Sequence, residues 1–148
     1  MNKKVILITG ASSGMGKESA KALIQQGHTV YTVARRIDQM QDLAAIGGHP
    51  IQMDVTIESD IQQVVDTIIR KEGKIDVLWN NAGYGLYGAV EDVPMDEARK
   101  QFEVNLFGLA MLTQTVVPYM RKAKSGTIIN TSSMGGKIYT PMGAWYHA

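Results

Sequence analysis

Eight consecutive residues, Thr9-Gly10-Ala11-Ser12-Ser13-Gly14-Met15-Gly16, gather residue types that act on phosphate as a group. Gly10 permits a tight turn. Gly14 and Gly16 remove side chains where a diphosphate and the neighbouring strand must approach the backbone closely. Ser12 and Ser13 add hydroxyl donors. An apolar run, Val5–Thr9, precedes the turn and a helical pattern follows it. The free N–H groups and positive dipole end of that helix therefore point at the bound anion. This setting separates the turn from a glycine-rich loop with no ligand. It predicts a dinucleotide site built on Thr9, Gly10, Ser12, Ser13, Gly14, Met15 and Gly16.

Two further positions add chemistry. The second strand-like run ends in Val33-Ala34-Arg35-Arg36. In a dinucleotide-binding βαβ unit this edge meets the adenosine ribose, where an acidic residue would accept from the 2′-hydroxyl of NAD. Arg35 and Arg36 instead offer guanidinium forks suited to a 2′-phosphate, so NADP is the expected cofactor. The alternative is that one of them, Arg36 before Arg35, only solvates a loop. Asn105 falls within the apolar stripe marked by Ala98, Phe102, Leu106, Leu109, Thr113 and Val116. An amide there needs internal partners and can interrupt the helical ladder; an ordinary satisfied buried amide is the other reading.

The elements that must hold these residues alternate between strand and helix. Strands are expected at Val5–Thr9, Thr29–Ala34, Pro50–Val55, Ile75–Trp79 and Thr127–Thr131. Helices are expected at Gly16–Gln26, Ile37–Ala45, from Ile57 through Ile69, and from Asp96 to Lys122 with a bend or break at Pro118. Ile57, Ile61, Val64, Val65, Ile68 and Ile69 recur at helical spacing. Alternation of this kind implies parallel pairing and right-handed crossovers. The expected fold is α/β: a doubly wound parallel sheet of the Rossmann kind, truncated after about five strands, forming one domain over residues 1–148.

Thr-Gly-x-x-x-Gly-x-Gly at 9–16, Asn-Asn-Ala-Gly at 80–83, and Ser133 with Tyr146 together resemble the short-chain dehydrogenase/reductase family along the whole chain. Glycines at 10, 14 and 16 match its single-domain branch. The resemblance implies an oxidoreductase that moves a hydride between NADP(H) and a ketone, aldehyde or secondary alcohol. It assigns Tyr146 to proton transfer and Ser133, 13 positions earlier, to holding the carbonyl oxygen. It makes Asn105 the helix asparagine that extends a proton relay. Asp54 would accept from the adenine amino group, the Val55 N–H would meet the ring, and Asn81, Ala82 and Gly83 would line the cofactor. Asn80 and Asn81 would also tie strand ends together. Ser132 competes with Ser133, Asp54 is also readable as a turn residue before the next helix, and Tyr146 as a packing aromatic beside Trp145. The runner-up function is a non-catalytic dinucleotide-binding or interaction protein.

Bulk properties agree. The 148 residues carry a net charge of +1 and are 45% apolar, which points to neither nucleic acid nor an anionic membrane. Cysteine is absent, excluding a disulfide scaffold or thiolate metal site and fitting the cytoplasm. His28, His49 and His147 lack metal-ligand spacing, so no metal is expected; His28 and His49 read as loop residues, and Met134 and Met142 as pocket lining. The family's lysine, four residues after the tyrosine, would fall at position 150, past Ala148. The expectation is either a fragment of a longer enzyme or a truncated product, with little or no turnover of its own. Its strand five would form an open edge, favouring homo-oligomers. A small carbonyl or alcohol is the expected partner.

Overall fold

The computed structural model describes residues 2–148. Five parallel strands form one sheet in the order β3-β2-β1-β4-β5: β1 Val5–Thr9, β2 Thr29–Ala34, β3 His49–Gln52, β4 Val77–Asn80 and β5 Thr127–Asn130. β1 pairs with both β2 and β4, so the strand order reverses beside it. Every residue of β1 is buried, which explains its unbroken apolar run.

Its side chains alternate between two cores. Val5 and Leu7 pack with Ile61, Val64, Val65 and Ile68 of helix α3 (Glu58–Glu72) and with Leu112, Val116 and Met120 of helix α5 (Leu109–Ala123). Ile6 and Ile8 face the other way, onto Ala20 and Ile24 of α1 (Gly14–Gln25) and Leu43 of α2 (Gln41–Ala45). Helices thus cover both faces, as double winding requires. Lys17 of α1 fastens the second layer by an ion pair to Asp42 at 2.9 Å.

Several boundaries differ from expectation. The third strand begins earlier, at His49, whose ring stacks on Tyr31 at 4.8 Å; His49 is therefore a strand residue. Ile57 lies just outside α3 and is 45% exposed, while Gly73 ends that helix with φ +73°. The long helix runs as α4 (Met95–Phe102), a π-helical turn (Glu103–Gly108) and α5. Helical structure continues across Pro118, and the ladder is interrupted around Asn105 instead. The wider π turn rotates everything after it. The buried stripe is consequently Ala98, Gln101, Gly108, Leu112, Val116 and Met120, and Leu106 is half exposed. Gly108 is fixed by packing: a Cβ there would stand 2.5 Å from the Val55 carbonyl oxygen. A short final helix, α6 (Ala144–His147), carries Tyr146. No helix among the described residues is long and apolar enough to cross a membrane.

Candidate active site

A cleft of about 790 Å³ opens at the carboxyl ends of the strands, where the order reverses between β1 and β4. Open α/β sheets take ligands at this switch point. The glycine turn supplies one wall through Gly10, Ser12, Ser13 and Met15. Thr9 does not reach the cleft. It is buried, and its hydroxyl accepts from the Asn81 and Ala82 N–H groups at 2.9 Å each, while its carbonyl accepts from Asn81 Nδ2 at 3.2 Å. Thr9 therefore fastens the end of β1 to the loop after β4. Asn81 Oδ1 accepts in turn from Thr131, and Asn80 Nδ2 donates to Asn130 Oδ1 and Thr113 Oγ1. The asparagine pair ties three strand ends together, as the sequence suggests.

The three glycines divide the work. Gly10 and Gly16 let backbones close up: a Cβ at Gly10 would stand 2.8 Å from Ala82 Cα, and one at Gly16 would stand 2.5 Å from Asn81 Nδ2. Gly14 has open space around it, and its φ of +57° is what calls for glycine. The closely approaching partner of Gly16 is the loop after β4 as well as β1's own exit.

Whether the turn fits a diphosphate is decided by its donors. The first turn of α1 carries no acidic side chain, and Ser13 at its N-cap makes no side-chain capping bond. Helix starts normally satisfy these N–H groups with a cap. Here they are left for an anion, with Ser12 and Ser13 beside them. Arg35 and Arg36 line the same cleft, are exposed, and make no ion pair with a carboxylate among the described residues. The donor set thus fits the phosphates of a nicotinamide dinucleotide. Asp54 and Val55 line the far end. Asp54 Oδ1 accepts from the Thr56 N–H at 2.9 Å and hydroxyl at 2.8 Å, and the Asp54 N–H donates to Asp60 at 3.0 Å. The turn reading of Asp54 is correct for Oδ1; Oδ2 has no hydrogen bond among the described residues.

The opposite end gathers the side chains that the family resemblance singles out. Asn81, Ala82, Gly83, Asn105, Ser133 and Tyr146 all border the cleft, and so does Ser132. Ser133 Oγ accepts from the Gly135 N–H at 3.0 Å, capping the single helical turn Met134–Gly136. Accepting that bond leaves the Ser133 hydroxyl proton free to donate outward. Asn105 spends both ends of its amide on one residue: Oδ1 accepts from the Tyr84 N–H at 3.0 Å, and Nδ2 donates to the Tyr84 carbonyl at 2.8 Å. It is half-buried and grips the loop after β4, in place of the buried core amide expected from the apolar stripe.

Other residues escaped the sequence reading. Tyr84 borders the cleft; partial burial first, then the charge of Glu97, raises its phenol above the ordinary value, with Arg35 opposing. Buried Gln101 accepts from the Leu86 N–H at 2.6 Å and donates to the Trp145 carbonyl at 2.7 Å, joining the loop after β4 to the helix of Tyr146. Met134 and Met142 are 75% and 60% exposed and do not line this cleft.

The family profile described as short chain dehydrogenase matches residues 4–148. The chain belongs to that family. Among short-chain dehydrogenases it is 42% identical over 148 residues to 3-ketodihydrosphingosine reductase of Bacteroides thetaiotaomicron, covering 100% of this chain and 54% of that protein. It is 39% identical over 142 residues to oxidoreductase BOA17 of Botryotinia fuckeliana, covering 93% and 52%. The fold matches a short-chain dehydrogenase from Streptomyces avermitilis with a TM-score of 0.94 at 39% identity, over 99% of this chain and 55% of that one. Serine dehydrogenase complexed with NADP+ (0.91, 30% identity, 97% and 59% covered) and NAD+-bound xylitol dehydrogenase (0.92, 31%, 99% and 59%) are comparably similar. The chain spans about half the length of the curated relatives it matches.

Proposed function

We propose that this chain is the dinucleotide-binding unit of an NADP(H)-linked oxidoreductase acting on a ketone or aldehyde in the cytoplasm, and that it works as an assembly of identical copies. The observation that carries the reading is one cleft bordered at one end by an uncapped helix start and two unpaired arginines, and at the other by Ser133 and Tyr146. Similarity to a protein named 3-ketodihydrosphingosine reductase supports a keto group as the target and makes a long-chain ketone the first substrate to try.

A bound nicotinamide dinucleotide supplies or takes the hydride. The chain's own residues do the rest. The N–H groups of Gly14, Met15 and Gly16 and the Ser12 and Ser13 hydroxyls hold the diphosphate, with Gly10 shaping the turn. Arg35 takes the 2′-phosphate, with Arg36 beside it. Asp54 Oδ2 accepts from the adenine amino group while the Val55 N–H meets its ring. Asn81, Ala82 and Gly83 flank the nicotinamide half. Ser133 would donate a hydrogen bond to the substrate oxygen while keeping its proton, and Tyr146 would deliver the single phenol proton to that oxygen during reduction or remove it during oxidation. Asn105 keeps the loop of Tyr84 against this end.

Cofactor choice gives the direct test. A carboxylate at position 35 repels a 2′-phosphate and attracts a 2′-hydroxyl. In Arg35→Asp, affinity for NADP+ is expected to fall at least tenfold while affinity for NAD+ holds or rises, read by thermal shift and by titration of cofactor fluorescence. An unchanged NADP+/NAD+ ratio rejects the assignment.

A further inference from the structure

The ring of His147 touches two backbone segments, and its geometry favours one of the two neutral tautomers. Nε2 lies 3.2 Å from the Thr140 backbone nitrogen and 3.0 Å from its hydroxyl, while Nδ1 lies 2.9 Å from the Gly135 carbonyl oxygen. A backbone N–H can only donate, so Nε2 must accept. A carbonyl oxygen can only accept, so Nδ1 must carry the proton. The neutral Nδ1–H form satisfies both contacts. The other neutral form sets donor against donor at Thr140 and lone pair against lone pair at Gly135.

Gly135 is thereby held from both sides. Its N–H donates to Ser133 Oγ and its carbonyl accepts from His147. Nothing larger fits: a Cβ at Gly135 would stand 2.8 Å from His147 Nδ1 and 3.1 Å from Tyr146 Cε1. The Tyr146 ring lies 5.7 Å from that of His147 and 5.8 Å from that of Tyr87, and Tyr87 meets His147 edge-on at 6.1 Å. The imidazole is therefore a hydrogen-bonded link between the turn capped by Ser133 and the helix bearing Tyr146.

We propose that His147 is a positioning residue: as the Nδ1–H tautomer it clips the 135–140 segment to α6 and sets the spacing of Ser133 from Tyr146. Its value for catalysis rests on the function proposed above; the clip itself does not. A ring that served only as packing would show no fixed tautomer, and a phenyl ring would replace it.

The test reads the clip and the chemistry separately. In the 15N-labelled chain, long-range 1H–15N correlations of the His147 ring are expected to show a protonated Nδ1 and a bare Nε2, and nuclear Overhauser contacts should join the Gly135 Hα protons to the Tyr146 ring. His147→Phe should abolish those contacts. His147→Asn keeps a donor near the place of Nδ1 and should retain them. In parallel, NADPH-dependent reduction of a ketone is expected to lose about tenfold in kcat in His147→Phe, with the NADP+ dissociation constant unchanged, and to recover in His147→Asn. A bare Nδ1, or contacts that survive the phenyl ring, overturns the clip; an unaltered kcat overturns its part in setting Ser133 against Tyr146. Low turnover of the unsubstituted chain, expected where the family's lysine lies past Ala148, leaves the tautomer and the proton contacts to decide the clip.

Discussion

At the scale of single residues, the glycine turn contains two kinds of constraint that substitution separates. Gly16→Ala pushes a methyl group into Asn81 and the Gly10 carbonyl. Overpacking of this kind costs about 1–3 kcal/mol. Gly14→Ala meets no neighbouring atom but keeps its positive φ, costing about 1–2 kcal/mol. Both lower the midpoint of denaturation. The backbone resonances of Asn81 to Gly83 should move in Gly16→Ala and stay in place in Gly14→Ala. The spacing of the glycines is legible in sequence because it reflects local backbone demands. Which glycine answers to conformation and which to the loop after β4 is not, because that loop lies more than sixty residues away.

Asp76 carries a second prediction at this scale. Burial raises its pKa, but the Val5 N–H at 2.8 Å and Lys74 at 2.9 Å outweigh it, and the net shift is downward from 3.8. A carboxyl depressed in the folded state contributes stability above its unfolded value, and that contribution is lost as pH falls through the folded value. The window therefore lies below about pH 4. Denaturation of Asp76→Asn at neutral pH should show a loss of stability, and between pH 4 and 2 its stability should fall less steeply than that of the parent. Parallel slopes would contradict the account.

At the scale of elements, the departure of the long helix from regular geometry is what couples it to the site. Asn105 sits in the π turn and grips Tyr84; one turn earlier, Gln101 reaches Leu86 and Trp145. Gln101→Leu keeps the volume but strands the Leu86 N–H and the Trp145 carbonyl. Unpaired buried groups cost about 1–3 kcal/mol each. Amide hydrogen exchange should accelerate in the loop at 84–88 and in α6, while α3 stays protected; uniform loss of protection would mean the bridge supports the whole fold rather than the site. The strands and helices could be read in advance because β1 and α3 have clean apolar patterns. An interruption of the ladder at Asn105 was legible too, but not its π form, and because one wider turn shifts the positions around it, Leu106 looked buried. Gln101 and His147 went unassigned for a related reason: their partners belong to loops whose course no periodicity describes.

At the scale of the molecule, burial is unevenly distributed. β1 and β2 are nearly closed to solvent, whereas β5 is exposed at all four positions and has one paired neighbour, β4. Ile128 and Ile129 are each 39% exposed on successive, and therefore opposite, faces of that strand. Leu106, Phe107 and Ile138 are about half exposed, and Tyr139 more so. An open strand edge that itself carries exposed apolar side chains is a template for pairing with another chain. Sedimentation of this chain should therefore give a mass above that of a monomer, rising with concentration through the micromolar range. Lysines on an edge strand oppose pairing because each must leave water or face its counterpart across the contact. Replacing Ile128 and Ile129 together by lysine should shift the distribution to monomer. The sheet should survive, because the double substitution touches neither of the two cores that flank β1, and far-ultraviolet dichroism should stay close to that of the parent. A parent chain that sediments as a monomer at every concentration would show that water alone satisfies the β5 edge.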